Sequence, residues 1–300
     1  MNTLLSLSNG LAAAVEAVAP SVVAVNARPR LPSTGIHWRP GIVVTADHTV
    51  RADEDITVTR SDGHTTPATL AGRDPGTDLA VLRVRDADFP TAAVGDPGTL
   101  HVGHLVLAVG YGPRVSWGVV SALGGRWRTG RGAEVDQLMR LDVTFYPGFS
   151  GGPLVDAEGR VVGVNSSGLS RQLELAIPAT TVSRIAAELL EKGRVARGFL
   201  GVGLHAVPLP EAWSRALPTP AEIGLMVVSL QPDGPAGSAG VMLGDVLVAI
   251  DGVAVPSSDD VQRAVGTRPV GSPVTATILR GGSPKEIRIT LGERPARRRH

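Results

Sequence analysis

The sequence has no cysteine, which excludes disulfides, thiolate nucleophiles and thiolate metal sites while leaving the redox state of the compartment open. It also lacks an excess of either charge: 29 basic and 28 acidic residues give a formal net charge of +1. No global field therefore argues for nucleic acid or an anionic membrane as a partner. Long apolar runs are missing too, and no segment offers the roughly 18 uninterrupted apolar residues of a membrane helix. The first 25 residues contain no Lys or Arg, and Glu16 interrupts their apolar run, so they make a poor signal peptide. A cytoplasmic address is expected on that basis, or the cell envelope if a leader has been removed. None of the usual His/Asp/Glu metal spacings occurs, so no metal and no cofactor is expected.

What is present is a 43% apolar chain of 300 residues, long enough for two domains at about 100–200 residues each. Asn9 is a plausible N-cap for a short helix with Leu11, Ala14, Val15 and Val18 at helical spacing, ended near Pro20. From Ser21 onward come short β-branched runs separated by Gly, Pro and Asp: SVVAVNA, GIVVTA, DITVTR, LAVLRV, HLVLAVG and WGVVSAL. A second set, DQLMRLDVT, GPLVD, RVVGVNSS and LELAIP, continues the pattern to about residue 178. Many short strands with frequent turn signals read as a β-barrel or sandwich. TVSRIAAELLEKG is a helix stopped by Gly193, and the RVARG after it marks a boundary. The expected division is a first domain over 1–195, a second of strands and at least one helix over 196–292, and a solvated basic tail over 293–300.

The stretch Tyr146-Pro147-Gly148-Phe149-Ser150-Gly151-Gly152-Pro153 is an unusual way to write a turn. Its glycines and prolines fix a tight path that presents one hydroxyl and can aim the N–H groups of Gly148 and Ser150 into one space, as stabilising an oxyanion requires. The bland reading is a Gly/Pro-rich hairpin that happens to contain a serine. A nucleophilic serine needs a base. Of seven histidines only His48 directly ends an apolar strand, in GIVVTADHTV; His37, His64, His101, His104, His205 and His300 read as solvated or merely packed. The third member must be a carboxylate buried against the imidazole, and Asp78 in TDLAVL alone leads straight into an apolar run. Asp53, Asp55, Asp62 and Asp74 sit in polar turns and read as surface charges. The order His48, Asp78, Ser150 is that of the chymotrypsin-type β-barrel proteases.

TADHTV, TDLAVL and PGFSGGPLVD resemble the three catalytic segments of the HtrA/DegP family of trypsin-like serine proteases, and SALG (Ser121–Gly124) fits as well. RGFLGV and QPDGPAGSAGVMLGDVLVAIDG resemble the PDZ module that such proteases carry, so the likeness spans roughly residues 11–292. It implies a mainly β chain: a chymotrypsin-like double β-barrel followed by an α+β PDZ domain. It implies His48 as general base, Asp78 as its orienter and Ser150 as nucleophile, with the N–H groups of Gly148 and Ser150 as the oxyanion hole. The implied reaction is hydrolysis of peptide bonds in unfolded or exposed protein segments through an acyl-enzyme, within protein quality control. The implied partners are unfolded or partly folded polypeptides and, at the PDZ domain, peptide C-termini; a homotrimer is also implied, although 3% aromatic residues leave little material for one held by rings.

In the second domain, Arg197–Val202 stands in the place of the carboxylate-binding loop. Phe199, Leu200, Gly201 and Val202, with Val261 and Val265 from the helix SSDDVQRAVG, would shape a peptide groove beside an exposed strand edge. The five apolar members can instead be core, equally so for Leu200 and Val261. The family usually has Asn where this chain has Tyr146 and Phe149, and the two rings would either pack beneath the turn and stiffen it or occlude the cleft. Phe149 cannot form the ion pair with a new N-terminus that activates digestive zymogens. Arg126, Arg128 and Arg131, in the loop Gly125–Asp136, read as a solvated loop in preference to a sensor or a nucleic-acid contact, given the neutral overall charge. A primary pocket near Thr144 and the strand Val162–Ser167 shows no acidic residue, which favours a small or medium apolar side chain before the cleaved bond. The rival from another class is a latent protease that serves as a PDZ-based chaperone or scaffold; an esterase would use the same triad.

Overall fold

The computed structural model describes residues 2–293 apart from 30, 86, 171, 216, 218–220 and 267. Apart from Glu293, the basic tail lies outside the described residues. The chain divides into two compact units, Met1–Val195 and Ala196–His300.

The first unit opens with helix α1, Thr3–Val18, capped by Asn2, whose side chain accepts from Leu4 N–H at 3.1 Å. Asn9 is therefore not the cap. The Leu- and Ala-rich segment before it propagates helix one turn after another, so the cap falls at the first Asx residue upstream of the run. Only Ala14 and Val18 are buried. Strands β1 (Val22–Asn26), β2 (Ser33–Arg39), β3 (Ile42–Ala46), β4 (Ile56–Thr59), β5 (Thr65–Asp74) and β6 (Leu79–Val84) close an antiparallel barrel in the order β1-β2-β3-β6-β5-β4. Apolar runs announce four of the six. β2 (STGIHWR) and β5 (TTPATLAGRD) carry polar residues that the barrel nevertheless buries, among them Ser33, Thr34, His37 and Asp74.

Strands β7 (Leu105–Gly110) and β8 (Arg114–Gly124) begin a second barrel, and β9 (Trp127–Arg128) with β10 (Glu134–Val135) form a separate ribbon. β11 (Leu138–Asp142), β12 (Pro153–Val155), β13 (Val161–Ser166) and β14 (Glu174–Pro178) complete the barrel in the order β11-β14-β13-β12-β7-β8. Helix α2, Ala179–Lys192, ends at Gly193 in the left-handed region at φ 71°. Its Val182, Ile185, Ala186 and Leu189 join Leu79 and Val81 of the first barrel and Val164 and Ile177 of the second in one apolar cluster. That shared cluster fixes the two barrels against each other, and burying each such aliphatic side chain contributes about 1.5–3 kcal/mol.

The second unit pairs β15 (Gly198–Phe199) with a distant strand β22 (Gly292–Glu293). Its main sheet runs β16 (Val202–Pro208), β17 (Ile223–Leu230), β18 (Val246–Ile250), β20 (Pro273–Arg280), β21 (Ser283–Thr290), with β19 (Val253–Ala254) on β18. Helices α3 (Glu211–Arg215), α4 (Pro235–Ser238) and α5 (Ser258–Gly266) complete this α+β unit. β16 is an edge strand, laddered only to β17. Within the sheet, burial of Asp245 is outweighed by a two-pronged Arg280 guanidinium, at 2.8 Å to each oxygen, and the Met242 N–H, so its carboxyl is held below the usual range.

His37 lies in the wall of the first barrel, 1% exposed, stacked on Phe89 at 4.0 Å. Its Nδ1 donates to Pro90 O at 3.1 Å and its Nε2 accepts from Gly41 N–H at 3.1 Å, an arrangement that fits only the neutral ring. Burial accordingly lowers its pKa, against the opposing pull of the Pro90 and Phe89 carbonyls. The unfolded chain then binds more protons at this site than the folded one below about pH 6.5, so this contribution to stability is full above that pH and is lost as the pH falls through it. Calorimetry of the full chain between pH 8 and 5 should show the first unit's transition falling with acid. His37→Gln should lower stability throughout, by about 1–3 kcal/mol, and flatten that slope.

Candidate active site

Three segments deliver the side chains singled out in the sequence. β3 runs into a one-turn 3₁₀ helix, Asp47–Thr49, which carries His48; the turn before β6 carries Asp78; the turn before β12 carries Ser150. The 3₁₀ turn is held from below, where buried Asp47 lies 3.4 Å from the Arg73 guanidinium and donates its N–H to Asp78 O at 3.1 Å.

Asp78 is fully buried and sits at φ 59°, a left-handed conformation that costs a non-glycine residue about 1–2 kcal/mol. Its carboxylate meets His48 Nδ1 at 3.0 and 2.8 Å from its two oxygens, accepts the His48 backbone N–H at 2.9 Å and takes the Ser166 hydroxyl at 2.5 Å. With Nδ1 facing a carboxylate, the ring carries its proton there and leaves Nε2 as the basic atom. Ser150, 6% exposed, turns its Oγ to Ser167, sharing a 2.8 Å hydrogen bond with that hydroxyl and accepting the Ser167 N–H at 3.3 Å. Ser167 Oγ in turn lies 3.4 Å from His48 Nε2. Among the described residues no hydrogen bond joins Ser150 directly to His48, so the base and the hydroxyl are bridged by a second serine.

The turn before Ser150 has the geometry that oxyanion binding needs. Phe149 N–H bonds Tyr146 O at 3.0 Å, with Pro147 second and Gly148 third at φ 93°, the pattern of a type II turn. Among the described residues neither the Gly148 N–H nor the Ser150 N–H donates a hydrogen bond. Of the two placements left open by the sequence, Phe149 takes the one beneath the turn. Phe149 is fully buried beneath the turn, where a Cβ on Gly110 would lie 2.7 Å from its ring; Tyr146 is 53% exposed and meets Phe149 edge-on at 5.5 Å.

Several neighbours were not evident from sequence reasoning. Ser166 and Ser167 are the end of an apolar strand whose NSSG text is a signal only once that strand is placed beside Asp78. Gly168 is required because a Cβ there would stand 2.6 Å from both Asp78 Oδ2 and His48 Nδ1. Asp74, read as a surface charge, is buried and caps Gly76 and Thr77 in the turn leading to Asp78. Glu174, at the start of β14, meets the Phe145 N–H; burial pushes its carboxyl up, opposed by that N–H. Arg126 and Arg128 pair with Glu134, and Arg131 donates to Pro75 O, so all three brace the ribbon. In the second unit, Leu200, Val261 and Val265 are core members, while Phe199 and Val202 are half-buried. Gly201 turns at φ 79°; the Leu200 and Gly201 carbonyls are taken by Ala236 and Gln231 N–H, and among the described residues their own N–H groups donate to nothing.

Gly168→Ala should force His48 and Asp78 apart, lowering the first unit's thermal transition because a buried carboxylate loses a partner. Reactivity of Ser150 toward a fluorophosphonate should fall at least about tenfold, and by more than the loss of folded protein accounts for.

A family model described as trypsin-like peptidase domain matches residues 33–164, and one described as PDZ domain matches residues 198–291. A probable periplasmic serine endoprotease DegP-like of Pseudomonas fulva (strain 12-X) is 36% identical over 265 residues, covering 85% of this chain and 54% of that protein. Its counterpart in Brucella suis biovar 1 (strain 1330) is 36% identical over 266 residues, covering 85% and 51%. The chain thus spans about half the length of these curated relatives. Among solved structures, the HtrA-type protease AlgW with tripeptide is 30% identical at a TM-score of 0.69, covering 96% of this chain and 98% of that one. The serine endoprotease from Yersinia pestis is 29% identical at a TM-score of 0.71, covering 94% and 97%. Two barrels with a serine, a histidine and an aspartate at their junction, followed by a PDZ unit and matched along nearly the whole of solved relatives, identify this chain as a member of the HtrA family of trypsin-like serine proteases.

Proposed function

We propose that the chain is a serine endopeptidase acting on unfolded or partly folded polypeptides, with His48, Asp78 and Ser150 as its triad. The observation that carries this reading is the convergence of an imidazole, its Nδ1 on a buried carboxylate, with a serine that follows a type II turn with two undonated N–H groups. Ser150 Oγ swings from Ser167 to attack the substrate carbonyl while His48 Nε2 takes its proton. The developing oxyanion is received by the N–H groups of Gly148 and Ser150, a term worth about 2.7–4 kcal/mol per donor in related chemistry. The imidazolium, stabilised by Asp78, returns the proton to the leaving amine, and water then cleaves the acyl-enzyme by the same route.

The PDZ unit is proposed to bind peptide C-termini. The free edge of β16 accepts an extended peptide as a further strand, and the Leu200 and Gly201 N–H groups receive its carboxylate. Phe199 and Val202 are the partly exposed apolar residues of that groove, with Val261 and Val265 supporting it from the core. The relatives named periplasmic favour a cell-envelope address over the cytoplasmic one that composition suggested, and no helix among the described residues is long and apolar enough to cross a membrane. A homotrimer is carried over from the family resemblance.

Two measurements test these readings. A fluorophosphonate probe should label the chain, Ser150→Ala should abolish labelling, and unfolded casein should be cut only by the parent. No Ser150-dependent labelling, with or without unfolded protein present, favours the latent binding protein; labelling without casein cleavage favours an esterase. A peptide with a free C-terminus should bind the full chain at least about tenfold more tightly than its C-terminal amide, and equal binding would remove the carboxylate-loop role.

A further inference from the structure

The oxyanion turn depends on the orientation of one peptide, that between Pro147 and Gly148. A peptide is planar and trans, so its C=O and N–H point in opposite directions. Whatever holds the Pro147 carbonyl outward thereby aims the Gly148 N–H. A type II turn and a type I turn differ by a half-rotation of this central peptide, and only one of the two offers that N–H to the space above Ser150.

Resting on the protease reading, we propose that Arg114 is a positioning residue for the oxyanion hole, locking the Pro147–Gly148 peptide in its catalytic orientation. Arg114 begins β8, directly after the tight connection from β7. Its Nε donates to Tyr111 O at 3.2 Å, which braces the side chain against its own loop. One terminal nitrogen donates to Pro147 O at 3.3 Å, and the guanidinium lies 5.6 Å from the centroid of the Phe149 ring. A planar, five-donor group can grip a carbonyl, brace its own loop and cover a ring at once, which a lysine ammonium cannot.

The same short connection holds the next peptide as well. Tyr111 N–H donates to Thr34 Oγ1 at 3.0 Å, and Thr34 Oγ1 donates to Gly148 O at 2.6 Å. Tyr111 is itself tied to the first barrel by its hydroxyl, which donates to Arg60 O at 3.0 Å. Phe149 O accepts Gly152 N–H at 2.9 Å, which orients the Ser150 N–H. Of the carbonyls around the hole, then, Gly148 O is held by a buried hydroxyl and Phe149 O by backbone. Pro147 O alone depends on an exposed, replaceable side chain.

The experiment compares the full chain with Arg114→Ala and Arg114→Lys, using fluorophosphonate labelling, peptide-substrate kinetics and a peptide boronate as a transition-state mimic. Arg114→Ala should lower kcat about 10- to 100-fold with KM changed less than threefold, and weaken the boronate by a similar factor. Its thermal transition should stay near that of the parent, and Arg114→Lys should recover only part of the loss. Added guanidinium ion at millimolar concentration should restore activity to Arg114→Ala and not to Ser150→Ala. Parent-like kcat and boronate affinity in Arg114→Ala, or a loss matched by KM alone, would overturn the proposal while leaving the triad reading intact. A parent chain that does not label overturns both.

Discussion

The first unit is built around a carboxylate that has no exposure to water. Burying an unpaired charge costs far more than a fold of this size can spare, so Asp78 obliges the surrounding chain to supply partners. Those partners are His48, through ring and backbone, and Ser166. Each comes from a different strand end. The demand of one carboxylate thus fixes the end of β3 against the start of β6 in the first barrel and the end of β13 in the second. The α2 cluster, Val182, Ile185 and Leu189, joins the barrels by non-directional burial; Asp78 sets their register to hydrogen-bond accuracy. The left-handed backbone at Asp78 persists because these contacts, with Asp47 N–H on its carbonyl, over-determine it.

Much of this was legible in the sequence because the signals were local. Apolar runs such as LAVLRV and HLVLAVG are strands because their β-branched residues fit a buried pleat, and Gly193 stops α2 because it alone takes φ 71° without strain. His48, Asp78 and Ser150 could be picked out because each borders such a run. What was not legible depends on tertiary neighbours. β2 and β5 are written in Ser, Thr, His and Pro, and become strands only because barrel closure supplies partners to their backbones. Asp74 and His37 looked exposed because their satisfying groups, Thr77, Pro90 and Gly41, come from turns whose positions no periodicity gives. The helix cap moved from Asn9 to Asn2 because nothing in an Ala- and Leu-rich run forces a start at the later residue. Gly168 shows the limit most plainly: one glycine among many, singled out only by the two atoms its missing Cβ would strike.

Phe149, where the family usually has Asn, finds its reason in packing. Here Phe149 is wholly buried, and its room is made by Gly110, where any side chain would enter the ring. An aromatic ring under a turn gives burial without direction. It supports the turn's position but does not choose between the two orientations of the Pro147–Gly148 peptide, so that choice falls to hydrogen bonds on the carbonyls, at Pro147 and at Gly148.

On the proposed mechanism the two halves of the catalytic apparatus stand at different stages of readiness. For the oxyanion role, the turn is type II, Gly148 is at φ 93° and its flanking carbonyls are held. For proton transfer, Ser150 Oγ bonds Ser167 rather than His48 and has to leave that bond to reach the base. Staggered rotamers of a serine differ by little energy, and an exposed Ser167 hydroxyl loses little on returning to water, so this partnership is a weak restraint. A flipped peptide in the turn would be the stronger block, since restoring it requires breaking backbone bonds in a packed environment. On the proposed mechanism, the Ser150–Ser167 bond is therefore the restraint that has to be released before attack, and it is the weaker of the two devices.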